Sequence, residues 1–169
     1  MGYAKGAARR EEILRVALEV FTEGGYHGAS TREIAARVGV SEAGLFHHFG
    51  SKQQLLAAVL EARDTRDGLN DRDPLADLVA LVRANARSPE LVRLFAVTSA
   101  EATAPGHAAH DGFAARYVRV RTLLADALGD PALARLVVAA VDGLQVQWLL
   151  DPSIDMAADL ELLLERLAR

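Results

Sequence analysis

The chain has 169 residues, 51% of them apolar, with alanine (32) and leucine (25) abundant and isoleucine (3) scarce. This composition favours helices over strands, and at this size roughly 70% of the unfolded surface is expected to be buried on folding. The absence of cysteine excludes disulfides, thiolate nucleophiles and Cys-ligated zinc. The net charge of −4 does not by itself suggest a nucleic-acid partner, but residues 1–52 sum to +1 and residues 53–169 to −5, and the less acidic third holds His27, His47 and His48.

The N-terminal stretch MGYAKGAARREE has no apolar core, and the longest apolar run in the C-terminal half, Leu136 to Val141, is six residues. Neither a signal sequence nor a membrane span is expected, and a cytoplasmic protein is. Residues 7–23 form an amphipathic helix with Ile13, Leu14, Ala17, Leu18 and Phe21 on one side, ending at Gly24-Gly25. Ser30 with Glu33 is a capping-box pattern opening a short helix through Ile34, Ala35 and Val38, which Gly39 ends. Ser41 caps a second short helix, Glu42 to Phe49, and Ser51 with Gln54 opens a fourth over 52–66.

All five prolines lie beyond residue 73, and three follow a residue suited to capping: Asp73-Pro74, Ser88-Pro89 and Asp130-Pro131. With breaks at Pro105-Gly106 and Asp151-Pro152-Ser153, they divide the remainder into helices 74–87, 89–104, 107–129, 131–150 and 154–168. In 107–129 the apolar stripe is Phe113, Tyr117, Val120, Leu124 and Leu128; in 154–168 it is Leu160, Leu163, Leu164 and Leu167. The expected fold is all-α with about nine helices.

The two short helices joined at Val38-Gly39-Val40 form a candidate helix-turn-helix, whose second helix suits a DNA major groove. Leu45 and Phe49, spaced i, i+4, would anchor that helix and leave Glu42, Ala43, Gly44, Phe46, His47 and His48 on its other faces. Ala43 and Gly44 remove bulk from its leading end, and a mid-helix glycine costs about 1 kcal/mol, which calls for a reason such as close approach to another surface.

The ordered motifs Ser30-Thr31-Arg32-Glu33-Ile34-Ala35, Gly39-Val40-Ser41, Gly44-Leu45-Phe46-His47-His48-Phe49 and Lys52 to Leu55-Leu56 resemble the DNA-binding domain of TetR-type repressors over residues 7 to 56. The resemblance implies an N-terminal three-helix domain (1–52, with connecting helix 52–66) and a C-terminal effector-binding and dimerisation domain (67–169). It implies a DNA-facing set of Thr31, Arg32, Ser41, Glu42, Ala43, Gly44, Phe46, His47, His48 and Lys52. Thr31, His48 and Lys52 then resemble phosphate contacts, the last helped by its helix N-terminus. Arg32, Glu42, Ala43, Gly44 and His47 occupy base-facing positions, where Arg pairs with guanine and Ala touches a thymine methyl. Glu42 is open to two readings, acceptor from cytosine N4 or stabiliser of its own helix start, and Arg32 to pairing with Glu33 or Glu42 instead. Two departures stand out: Val38 replaces the family's usual Ala, and Phe46 its usual Tyr, whose hydroxyl commonly bonds a phosphate.

In the C-terminal half the resemblance implies an effector pocket among the fifth to seventh helices, with Phe95, Thr98, Ser99, Phe113, Arg116, Tyr117, Gln145 and Trp148 as candidate lining. The last two helices are expected to pair with their two-fold mates through Gly143, Trp148, Leu160, Leu163, Leu164 and Leu167, with a local kink as the other account of Gly143. His107 and His110 have metal-ligand spacing but no third ligand, and a polar entry to the seventh helix is the plainer account. With no HExxH, P-loop or GxGxxG motif, no catalytic residue, cofactor or metal is assigned. The expected function is a non-enzymatic, homodimeric, ligand-responsive repressor of a double-stranded DNA operator, with a small-molecule effector and no membrane partner. The alternative is a scaffold or anti-repressor of the same fold that does not bind DNA.

Overall fold

A computed structural model describes residues 2–66, 73–107 and 109–167. Among these residues there are nine helices and no strand: α1 Gly2–Gly28, α2 Thr31–Val38, α3 Glu42–Phe49, α4 Lys52–Arg66, α5 Pro74–Asn85, α6 Pro89–Glu101, α7 His110–Leu128, α8 Pro131–Leu150 and α9 Met156–Leu167. They divide into two compact units, Met1–Arg66 with Thr98–Gly112, and Asp67–Val97 with Phe113–Arg169. The expected boundary at residue 67 lies outside the described residues.

In the first unit α1 packs on α2 and α4, and α3 lies between α2 and α4. Ile13, Ala17 and Phe21 of α1 are fully buried, as are Ile34 of α2, Leu45 of α3 and Leu55 of α4. The regular first helix ends at Gly24-Gly25 as expected: Gly25 takes a non-helical φ of 65° and ψ of 178°, and a separate short helical turn follows to Gly28.

In the second unit α9 packs on α5 and α8 around Leu78, Val82, Val92, Leu124, Val137, Trp148 and Leu160. Asp73 and Asp130 cap their helices as expected, accepting from Ala76 N at 3.0 Å and from Ala132 N at 2.6 Å. Three ends differ from expectation for local reasons. Helix α6 stops at Glu101 because the residue before Pro105 is driven from the helical region, and the chain turns through Ala104 N to Glu101 O. Helix α7 starts at His110 because the His107 ring accepts from Ala109 N at 3.3 Å and fixes the preceding turn. Helix α9 starts at Met156 because Asp155 caps it, accepting from Ala157 N and Ala158 N at 3.1 Å each; the expected end at 168 lies outside the described residues.

One helix bears on the expectation that no segment spans a membrane. Helix α8 is long and apolar enough, by length and composition, to cross one, with a mean hydropathy of 1.4. Arg135, Asp142 and the glutamines interrupt its apolar runs and hide this from a residue-by-residue reading. One face of α8, with Ala134, Val137, Val138, Val141, Gln145 and Trp148, is buried in its own unit, as in the core helix of a globular domain.

Candidate nucleic-acid interface

The candidate interface is α2, the turn Gly39–Ser41, and α3. Gly39 takes φ 74° at the end of α2, where its N–H reaches the carbonyls of Ala35 and Ala36, and this turns the chain into α3. Ser41 caps α3 through a 3.0 Å bond from Gly44 N, and Ser30 accepts from Glu33 N at the start of α2. Leu45 and Phe49 face inward. Ala43, His47 and His48 are exposed, while Glu42, Gly44 and Phe46 are half-buried. An outward-facing set therefore stands on a rigidly seated helix.

Most cations of this unit are engaged. Arg37 bridges Glu23 of α1 and Glu33 of α2 at 2.9 and 2.7 Å, and this pairing lowers the pKa of Glu23. Arg9 donates to Val38 O at 3.0 Å, and the Arg10 guanidinium lies 4.9 Å from the centre of the Phe49 ring. Lys52 Nζ sits 4.8 Å from the centre of the Tyr26 ring, and burial there lowers the ammonium pKa. With Glu33 bound to Arg37 and Glu42 accepting from Thr31 Oγ1 at 2.5 Å, neither acid pairs with Arg32. Arg32 is exposed and has no ion pair among the described residues.

Sequence reasoning missed the inter-helix roles of Arg9, Arg10 and Arg37. Only Arg37 carried a local signal, its spacing of four from Glu33.

The other candidate residues fall into two groups. Thr98 and Ser99 belong to the first unit, and Thr98 Oγ1 is buried with no hydrogen-bond partner among the described residues. In the second unit the Phe95 and Phe113 rings lie 5.1 Å apart, and the Arg116 guanidinium is 4.5 Å from the Phe95 centre and 5.8 Å from that of Tyr117. The Tyr117 hydroxyl donates to Asp142 Oδ2 at 2.8 Å, an acceptor the sequence reading did not assign, although a lone acid within apolar α8 was its signal. Gln145 and Trp148 are buried on the inner face of α8.

Burial raises the pKa of Asp142, with the Tyr117 bond and the Arg116 charge partly offsetting it; burial also raises that of Tyr117. A folded-state pKa above the unfolded value means that stability is fully present at low pH and is lost as pH rises through the folded pKa. Asp142→Asn keeps an acceptor for Tyr117 and cannot ionise. It is expected to raise the melting temperature at pH 7, with a gain that shrinks as pH falls towards the ordinary carboxylate value of 3.8. A lower melting temperature at pH 7 would show that attraction to Arg116 outweighs burial.

Among the expected interface residues, Trp148 and Leu160 must be corrected. Both are buried in the core of their own chain, at 7% and 0% exposure, and have no surface left for a partner. Leu163, Leu164 and Leu167 are half-buried against the same core. Gly143 has open space where a side chain would begin. The large exposed apolar side chains of α8 and α9 among the described residues are Leu136, Val146, Leu150 and Leu162. His107 and His110 are drawn into the turn before α7: His107 Nε2 is 3.9 Å from Glu101, and His110 Nδ1 is 2.8 Å from Ala102 O. No group of three metal-ligating side chains occurs among the described residues.

The seated pair α2–α3 with its outward-facing set has the arrangement of a helix-turn-helix. Residues 13–59 match the family described as "Bacterial regulatory proteins, tetR family". Over these residues the chain resembles the TetR family. It is 51% identical over 53 residues to the HTH-type transcriptional activator FasR of Mycolicibacterium smegmatis, covering 31% of this chain and 24% of that protein. It is 36% identical over 81 residues to the HTH-type transcriptional repressor AcnR of Corynebacterium efficiens, covering 48% of this chain and 42% of that protein. The chain thus matches about a quarter to two fifths of the length of these curated relatives. A TetR transcriptional regulator from Rhodococcus sp. RHA1 aligns with a TM-score of 0.71 and 26% identity over 95% of this chain and 96% of that one. A TetR transcription regulator from Haloarcula marismortui reaches a TM-score of 0.79 at 17% identity, over 96% of this chain and 97% of that one, a likeness of fold.

Proposed function

We propose that this chain is a cytoplasmic, ligand-responsive repressor of transcription, which acts as a homodimer on a palindromic operator and is released by a small-molecule effector. The observation that carries this reading is the exposed Arg32, His47 and His48 beside a recognition helix anchored by Leu45 and Phe49. Two such heads set about 34–36 Å apart would enter successive major-groove turns of a symmetric site.

Dimerisation is supported by α8. Leu136, Gly143, Val146 and Leu150 fall on its outer face, and the three large side chains are 63%, 48% and 84% exposed. Four residues of low polarity aligned on one face suit a two-fold helix crossing, with Gly143 allowing close approach. An effector is supported by Arg116, Tyr117 and Asp142, polar groups set against the rings of Phe95 and Phe113. A ligand that favours the DNA-incompetent spacing shifts the dimer towards it, and by linkage DNA weakens that ligand's binding equally.

The test is salt-dependent binding to fragments that the protein selects from genomic DNA. Lys52→Ala removes two cations from a dimeric complex, and each neutralised phosphate contributes about 0.9 to the log–log salt slope. The slope is expected to become shallower by roughly 1.8, with affinity falling for selected and random duplexes alike. An unchanged slope would remove Lys52 from the contact set and leave it as a structural cation on the Tyr26 ring.

A further inference from the structure

The Thr31–Glu42 bond gives Glu42 a role that neither sequence reading offered. Thr31 lies in the first turn of α2 and Glu42 in the first turn of α3, and the hydroxyl donates to the carboxylate at 2.5 Å in a half-buried setting. A hydroxyl has one proton, so while Glu42 holds it Thr31 cannot donate to a phosphate. The carboxylate also places a full negative charge within reach of the position a phosphate would approach. Its charge is not absorbed by Arg32, Arg37 or Lys52, which have no ion pair with it.

We infer that Glu42 competes with the DNA backbone for the Thr31 hydroxyl and so holds down the protein's affinity for DNA of any sequence. The inference rests on the DNA-binding reading above and specifies how that interface is tuned. Glu42 acts here as a positioning residue, through Thr31 and through its charge, and reads no base. Restraint on backbone affinity makes selectivity depend more on base contacts, because phosphate contacts carry no sequence information.

The experiment measures binding of the full chain, at several salt concentrations, to a duplex it selects from genomic DNA and to a shuffled duplex of equal length. Glu42→Gln removes the charge and keeps the side-chain size, and its N–H2 turned toward Thr31 Oγ1 donates to the hydroxyl oxygen and leaves the hydroxyl proton free to point outward. It is expected to tighten binding to both duplexes by a similar factor of about ten, with the gain fading as salt rises. Thr31→Val is expected to weaken binding by a clearly larger factor in the Glu42→Gln background than in the wild type, because the hydroxyl is freer to meet a phosphate there.

Loss of binding confined to the selected duplex would overturn the inference and make Glu42 a base reader. Unchanged binding to both duplexes would also overturn it, as would uniform weakening with a lowered melting temperature, which would make the bond a structural clasp between α2 and α3. Absence of binding by both proteins to any duplex at about 50 mM salt would overturn the DNA-binding reading itself, and the inference with it.

Discussion

Val146→Arg is expected to yield a folded monomer that binds operator DNA at least about 100-fold more weakly. Val146 lies on the outer face of α8, 48% exposed, on the side opposite Val137, Val141 and Trp148 in the core. An arginine there reaches solvent in the monomer, so the fold is retained. In a two-fold contact each interface would hold two such guanidinium groups, without partners and facing each other. Burying an unpaired charge costs several kcal/mol, enough to dissociate a dimer at working concentrations. A single head then binds without the effective concentration its twin supplies, and loss of that avidity alone accounts for two or more orders of magnitude. Sedimentation checks the assembly and a thermal melt checks the fold. A variant that remains dimeric would place the interface elsewhere. Trp148→Asp would be a poorer probe, because it puts a charge into the core and unfolds the unit that bears the interface.

The second large effect is expected at Leu45. This side chain is fully buried and, with Phe49, seats the recognition helix on the N-terminal core. Truncation to alanine removes the transfer free energy of the lost methyl groups and leaves a cavity, for a total of about 2–5 kcal/mol. The N-terminal unit should then melt well below the wild type and lose DNA binding, while sedimentation still reports a dimer held through α8. A Leu45→Ala protein that melts like the wild type would mean that α3 docks through other contacts.

The helices were legible in the sequence because their punctuation is local. Ser30, Ser41, Asp73 and Asp130 each cap a helix through atoms within three residues, and Gly39 ends α2 through its own φ. Choice of face was less legible. Helix α8 is apolar almost all round, so its periodicity does not say whether Trp148 or Val146 turns inward; packing against α9 decides that. Partner choice was the least legible. Glu33 and Glu42 were both near Arg32 in sequence, yet Arg37 takes the first and Thr31 the second. The grouping of Thr98–Gly112 with the N-terminal unit likewise follows from tertiary contact and left no mark in composition.

The central claim is that two copies of this chain read one symmetric DNA site through α3. The most direct measurement is the affinity and stoichiometry of the full chain on a duplex selected from genomic DNA, against a shuffled duplex at the same salt. The account predicts two protomers per selected duplex, with binding at least about a thousandfold tighter than to the shuffled one. Equal affinity for the two duplexes, or one protomer per selected site, would contradict it.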